Sequence, residues 1–254
     1  STFIDGIAET LDAEDKTHPS YLITGTITWR LASRSPSIHT IPDQDSTRGI
    51  FVAPEGYYFA GADYNQIELL VQAVEAGEQK MIDMYNSGVG LHKLIGAELF
   101  NTSPEEIVGD IYKAVKTIVF GINYGIGAGS LAKRLGTEEE VAEEAINTYF
   151  SKFPNIFAWR QEQIKLARKI GYVENCFGLR RHLSFEGVTQ DYVIAEIERQ
   201  SYNSPIQGGA ACIAHQSHVL FEREYYKGSK KGLLATPAIT QHDALYFYIP
   251  KDTW

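Results

Sequence analysis

Hydrophobic and polar positions along the chain alternate between two periods, and each stretch predicts an element. Tyr57 to Asp63 is a run of aromatic and small residues behind Pro54-Glu55-Gly56, which predicts a buried strand with Asp63 at its end, just before a polar helix start. From Ile67 to Ile170 the apolar spacing is helical, and Ser103-Pro104-Glu105-Glu106 and Thr137-Glu138-Glu139-Glu140 read as capped helix starts with acidic first turns. Tyr172 to Leu183 predicts a hairpin turning at Phe177-Gly178. Thr189 to Tyr226 is helical again, with a break or bend expected around Pro205 and Gly208-Gly209. Ala238 to Gln241 and Leu245 to Ile249 predict two short strands with His242-Asp243 between them.

The order strand, helices, strands describes an α+β chain. No internal repeat, low-complexity tract or proline-rich linker interrupts it. Its 254 residues are enough for one large domain or two interlocked subdomains with a real core.

Composition narrows the class. No apolar stretch is long enough to cross a membrane, and Ser1 to Thr10 lacks the basic start and apolar centre of a secretion signal, so no membrane partner is expected. Cys176 and Cys212 are too few for a disulfide framework or a zinc site, which suits a reducing, intracellular compartment such as the cytoplasm. The formal net charge of -9 argues mildly against nucleic-acid binding, because phosphates call for clustered cations. Charge is segregated, however. Arg160, Lys165, Arg168, Lys169, Arg180 and Arg181 form a basic stripe, and Glu138 to Glu140, Glu143 and Glu144 an acidic face.

Two sets of residues carry candidate chemistry. Asp63 and Asp243, both at strand ends, suit hard cations that take carboxylate oxygens and keep positions open for substrate phosphates, although an aspartate before a helix is commonly a cap or a surface turn. Lys116, Phe120 and Tyr124 recur every four residues and line one helix face with a cation and two rings. An amphipathic core helix with a snorkelling lysine presents the same spacing.

The neighbours of these residues carry a resemblance. Asp63-Tyr64-Asn65-Gln66-Ile67-Glu68-Leu69 resembles motif A of the family A, DNA polymerase I-like polymerases, D-Y-S-Q-I-E-L-R. Lys116 to Gly125 resembles motif B, K-x-x-x-F-G-x-x-Y-G, and His242-Asp243 the start of motif C, H-D-E. Arg30 to Ser33, Leu91 to Lys93, Gly171 to Glu174 and Arg199 to Gly208 extend the likeness over nearly the whole chain.

The resemblance implies a right-hand polymerase fold. An antiparallel palm sheet comes from residues 1–71 and 191–254, a helical fingers subdomain is inserted at 72–190, and the thumb is largely absent. It implies template-directed DNA synthesis by two-metal-ion nucleotidyl transfer, with primer-template DNA and deoxynucleoside triphosphates as partners. Asp63, the Tyr64 carbonyl and Asp243 would hold two Mg2+ ions. Tyr64, Gln66, Ile67, Glu68, His92, Tyr112, Lys113, Lys116, Phe120 and Tyr124 would form the nucleotide site. Within it, Lys116 neutralises triphosphate charge, Phe120 packs on sugar and base, Tyr124 occupies the template-base position in open fingers, and Glu68 crowds the sugar 2′ position. Arg30, Arg199, Asn203, Gln207 and His242 would touch DNA.

The chain also departs from the pattern. Tyr112 stands where a phosphate-binding arginine is usual, with Lys113 beside it as a substitute; Ala244 replaces the glutamate after Asp243; Trp29 replaces a glycine and Leu70 an arginine. These departures, with ends that look short, carry two further expectations: that a second chain or flanking region supplies thumb and remaining palm, and, as an alternative function, a weak or inert polymerase-derived DNA-binding subunit.

Overall fold

The computed structural model describes residues 2–23, 25–41, 49–225 and 235–253. Ser1, Tyr226 and Trp254, which bounded expectations above, lie outside them. In chain order the elements are helix α1 (Thr2–Ala8), strands β1 (Ser20–Leu22), β2 (Ala32–Arg34) and β3 (Tyr57–Asp63), then helices α2 (Ile67–Ala76), α3 (Gln79–Asn86), α4 (Leu91–Phe100), α5 (Gly109–Asn123), α6 (Ala128–Leu135), α7 (Glu139–Lys152) and α8 (Pro154–Ile170). The hairpin strands β4 (Tyr172–Glu174) and β5 (Arg180–His182) follow, then helix α9 (Asp191–Tyr225) and strands β6 (Thr236–Gln241) and β7 (Ala244–Pro250). Among the described residues no helix is long and apolar enough to cross a membrane.

The chain divides into two compact units, residues 1–65 with 210–254, and residues 66–209. The first is built on an antiparallel sheet of order β3-β7-β6. Tyr57 pairs with Pro250 at one end of the β3–β7 ladder and Asp63 with Ala244 at the other. An aromatic ladder holds the two strands: Phe59 stacks on Tyr246 with ring centroids 5.6 Å apart and leans on Tyr248 at 5.5 Å. Gly61 makes room for this, because a Cβ there would sit 2.7 Å from the Tyr246 ring. The strand expected to be buried is instead mostly exposed, with only Phe59 and Ala60 half-buried, since β3 lies at the edge of the sheet and pairs on one side only. A small core of Ile7, Ile38 and Ile41 packs with Phe51 and Ile239.

The second unit is helical. Its core runs from Leu69 and Ala73 of α2 through Leu91 and Ile95 of α4 and Val115, Ile118, Val119 and Ile122 of α5 to Tyr149, Phe153 and Ile156. The Ser103 start opens a single 3-10 turn, Pro104–Glu106, in which the Ser103 N–H donates to the Glu106 carboxylate at 3.3 Å. The second acidic start opens α7 from Glu138 in the capping position. The β4–β5 hairpin turns at Phe177-Gly178, as expected.

Of the break or bend expected around Pro205, the break does not occur: α9 runs unbroken from Asp191 to Tyr225. Proline removes one rung of the helix and costs about 3 kcal/mol in an exposed helix, but Ser204, Pro205 and Ile206 are buried here, and tertiary packing outweighs the local penalty. Gly209 has a packing reason, for a Cβ there would come within 2.9 Å of Val71 on α2.

Candidate polymerase site

In the first unit the β3–β7 ladder ends at the two aspartates. Asp63 is the last residue of β3, opposite Ala244, and Asp243 occupies the two-residue turn that leads from β6 into β7. Cross-strand partners point to the same face of a sheet, so Asp63 and the side chain of residue 244 share a face, and the glutamate that Ala244 replaces would have stood beside Asp63. His242, the other turn residue, holds a left-handed φ of 54° and lays its ring 5.5 Å from that of His39. Tyr64 shares a hydroxyl hydrogen bond with Ser217.

Asp243 is in contact with Arg30, whose Nη2 lies 3.6 Å from Oδ2, both side chains being largely buried. Its other oxygen, Oδ1, is buried and has no hydrogen-bond partner. A pocket of 520 Å3 opens beside the two aspartates, with Phe221, Phe247, Leu220 and Leu245 among its walls. Trp29, next to Arg30, takes a left-handed φ of 60°, the conformation a glycine adopts without strain.

These residues fit a hard divalent cation. The donors are all oxygen, and one buried carboxylate oxygen lacks a partner. Among the described residues no group of three or more His, Cys, Asp or Glu forms a closed cage. Magnesium is commonly held in this way, by one or two carboxylates with the substrate's phosphates completing the shell.

In the second unit, helix α5 presents Tyr112, Lys116, Phe120 and, at its end, Tyr124 on one face. Lys116 Nζ lies 5.8 Å over the Tyr112 ring, Phe120 is 59% exposed, and the Phe120 and Tyr124 rings are 4.7 Å apart. Lys113 points elsewhere, pairing with Asp110 at 2.8 Å. His92, on α4, places its ring 6.2 Å edge-on from Tyr112. Burial, and then the positive charge of Lys116, hold its pKa down to about 4, and its Nδ1 has no partner. The imidazole is therefore neutral at physiological pH.

The helix ends in a Schellman motif. The Gly125 N–H donates to the Ile122 carbonyl and the Ile126 N–H to that of Gly121, each at 2.9 Å. Gly125 takes φ 73°, and a Cβ there would fall 2.0 Å from the Tyr202 hydroxyl. From this end Tyr124 donates its hydroxyl to Glu68 Oε2 at 2.7 Å and the Asn123 amide reaches the same oxygen at 3.4 Å. Glu68 lies in the first turn of α2, after Gln66 in a left-handed conformation and Ile67 in the core.

Asn203 approaches the Tyr124 carbonyl at 3.5 Å, Arg199 pairs with Glu196 at 2.6 Å, and Gln207 is half-buried on the same helix. A 430 Å3 pocket joins Phe120, Tyr124 and Arg199 to Arg134, a cation that the sequence reading did not single out. Helical spacing on the short α6 was the signal available for it.

The basic stripe is corrected by the structure at Arg160. Arg160 is buried, Arg168 pairs with Glu198, Arg180 with Glu174, and Arg181 donates to Gln200. Lys165, Arg168, Lys169 and Arg180 are exposed, and Arg181 is half-buried.

The architecture is that of a polymerase domain. It superimposes on the POL domain of Pol1 from M. smegmatis, a structure in complex with DNA primer-template and dNTP, with a TM-score of 0.87 and 27% identity, covering 98% of this chain and 44% of that one. The chain belongs to DNA polymerase family A, whose sequence profile matches residues 1–254. It is 34% identical over 260 residues to DNA polymerase I of Chloroflexus aurantiacus, and 33% identical over 258 residues to the thermostable DNA polymerase I of Thermus filiformis. Each alignment takes in 99% of this chain, which spans 27% and 30% of the length of those relatives.

Proposed function

We propose that this chain carries the palm (residues 1–71 and 191–254) and fingers (72–190) of a DNA-directed DNA polymerase that adds deoxynucleotides to a primer 3′-hydroxyl and releases pyrophosphate. The observation that carries this is the meeting of Asp63 and Asp243 at one end of the β3–β7 ladder, with a buried, unbonded oxygen on Asp243, in a family A chain.

Two Mg2+ ions held by Asp63, the Tyr64 carbonyl and Asp243 would, when bound, acidify the primer hydroxyl and neutralise the leaving pyrophosphate. Lys116, solvent-exposed on α5, supplies a cation for the triphosphate, and Phe120 offers an exposed ring to sugar and base. Tyr112 takes the place of an arginine and contributes no charge, so triphosphate binding leans on Lys116, with the neutral His92 alongside. Lys113 is committed to Asp110. Gln66 and Ile67 set the start of α2, which presents Glu68 toward the sugar 2′ position; an added hydroxyl there meets a carboxylate already engaged by Tyr124. Arg30, Arg199, Asn203, Gln207 and His242 are the residues assigned to primer and template. Minor-groove acceptors recur in similar places in every base pair and permit contact without reading sequence.

The test is magnesium-dependent primer extension by the purified protein, with Asp63→Asn and Asp243→Asn as variants. Extension lost in both supports the assignment; extension that survives either substitution removes these residues from the chemistry.

A further inference from the structure

Arg160 lies on α8 one turn after Ile156, on the face that packs inward, and is only 5% exposed. Taking a guanidinium out of water costs several kcal/mol in order of magnitude unless other contacts return it, and among the described residues no carboxylate lies within ion-pair distance. The compensation comes from backbone and rings. Nη1 donates to the Ile122 carbonyl at 2.7 Å and Nη2 to the Asn123 carbonyl at 3.4 Å. The guanidinium also lies 4.7 Å from the Tyr202 ring and 5.3 Å from that of Phe150. Those carbonyls belong to the last turn of α5, where the helix dipole is negative and a cation is favoured.

What this cation holds is the turn that engages Glu68. The Asn123 amide and the Tyr124 hydroxyl both reach Glu68 Oε2, and Gly125, the next residue, is closed over by Tyr202, the ring that Arg160 stacks on. Arginine suits the place better than lysine, because its planar fork serves two carbonyls and two ring faces at once.

We propose that Arg160 is a positioning residue for sugar discrimination: by pinning the last turn of α5 it keeps Asn123 and Tyr124, and through them Glu68, set to exclude a 2′-hydroxyl. The inference rests on the polymerase reading given above. A cap that served only stability would leave discrimination untouched.

The experiment compares wild type, Arg160→Met, which keeps an apolar stem without donors, and Arg160→Lys, which keeps the charge with a single ammonium group. Two quantities are read: the ratio of kcat/KM for deoxynucleotide over ribonucleotide, and hydrogen–deuterium exchange of the amides from Asn123 to Ile126. Arg160→Met is expected to lower the ratio about tenfold, the loss that one or two hydrogen bonds to a charged group imply, and to speed exchange in that turn, with Arg160→Lys in between. An unchanged ratio, whether or not exchange or melting temperature moves, overturns the proposal and leaves a purely structural cap. A wild type that fails to extend primers sinks the polymerase reading instead; exchange then decides whether Arg160 holds the turn, and unaltered exchange in Arg160→Met overturns that as well.

Discussion

The hydroxyl of Tyr124 donates to Glu68 at 2.7 Å, tying the end of α5 to the first turn of α2. A residue of the helix assigned to the nucleotide is thereby fixed to the carboxylate assigned to the sugar. Tyr124→Phe removes the donor and keeps the ring, so selectivity for deoxynucleotides is expected to fall about tenfold or more while Phe120 packing survives. A hydrogen bond to a charged group is worth about 1.5 to 3 kcal/mol. Competition between ribo- and deoxynucleotides in single-turnover extension measures it, and undiminished selectivity would detach Tyr124 from that role.

Ala244 faces Asp63 across the ladder. Ala244→Glu places a third carboxylate on the same face, and the magnesium concentration for half-maximal extension is expected to drop. A magnesium titration of the variant beside wild type checks this; a higher requirement would mean that the added charge disturbs the site.

Acid should weaken the fold through His92, whose folded pKa is held near 4 against an ordinary value of 6.5. Between those values the unfolded chain takes up a proton that the folded one refuses. The contribution is therefore complete above pH 6.5 and declines as pH falls toward 4. His39, His215 and His218, also lowered by burial, act in the same direction. Urea midpoints at pH 7 and pH 5 should show the loss, and His92→Phe should reduce the difference between them.

Gly125→Ala forces an L side chain into the left-handed region, costing about 1 to 2 kcal/mol, and drives its Cβ against the Tyr202 hydroxyl. Thermal unfolding should show a destabilisation larger than the backbone term alone, and Tyr202→Phe should relieve part of it in the double variant. Additive effects would refute the contact.

Much of this was legible in the residues. The four-residue spacing from Lys116 to Tyr124 placed a cation and two rings on one helix face, and the His242-Asp243 dipeptide between two apolar runs placed a carboxylate at a strand turn. Arg160 was misread, because a basic residue among other basic residues looks like surface, and only the tertiary structure brings two backbone carbonyls and two rings around it. Pro205 was misread for a related reason: local propensity argues for a break, and burial of its neighbours overrules it. The pairing of Lys113 with Asp110 was open to sequence, being three residues apart on a helix.

The turn between β6 and β7 holds two residues. Side chains alternate between the faces of a strand, so inserting a single residue after Asp243 would send every following position of β7 to the opposite face or force a bulge. The spacing of the two carboxylates is thus counted in residues rather than adjusted by rotamers. Substitutions elsewhere in β7 can be absorbed by repacking, but a change of length in this turn shifts the register that sets Asp243 against Asp63 unless a bulge takes it up.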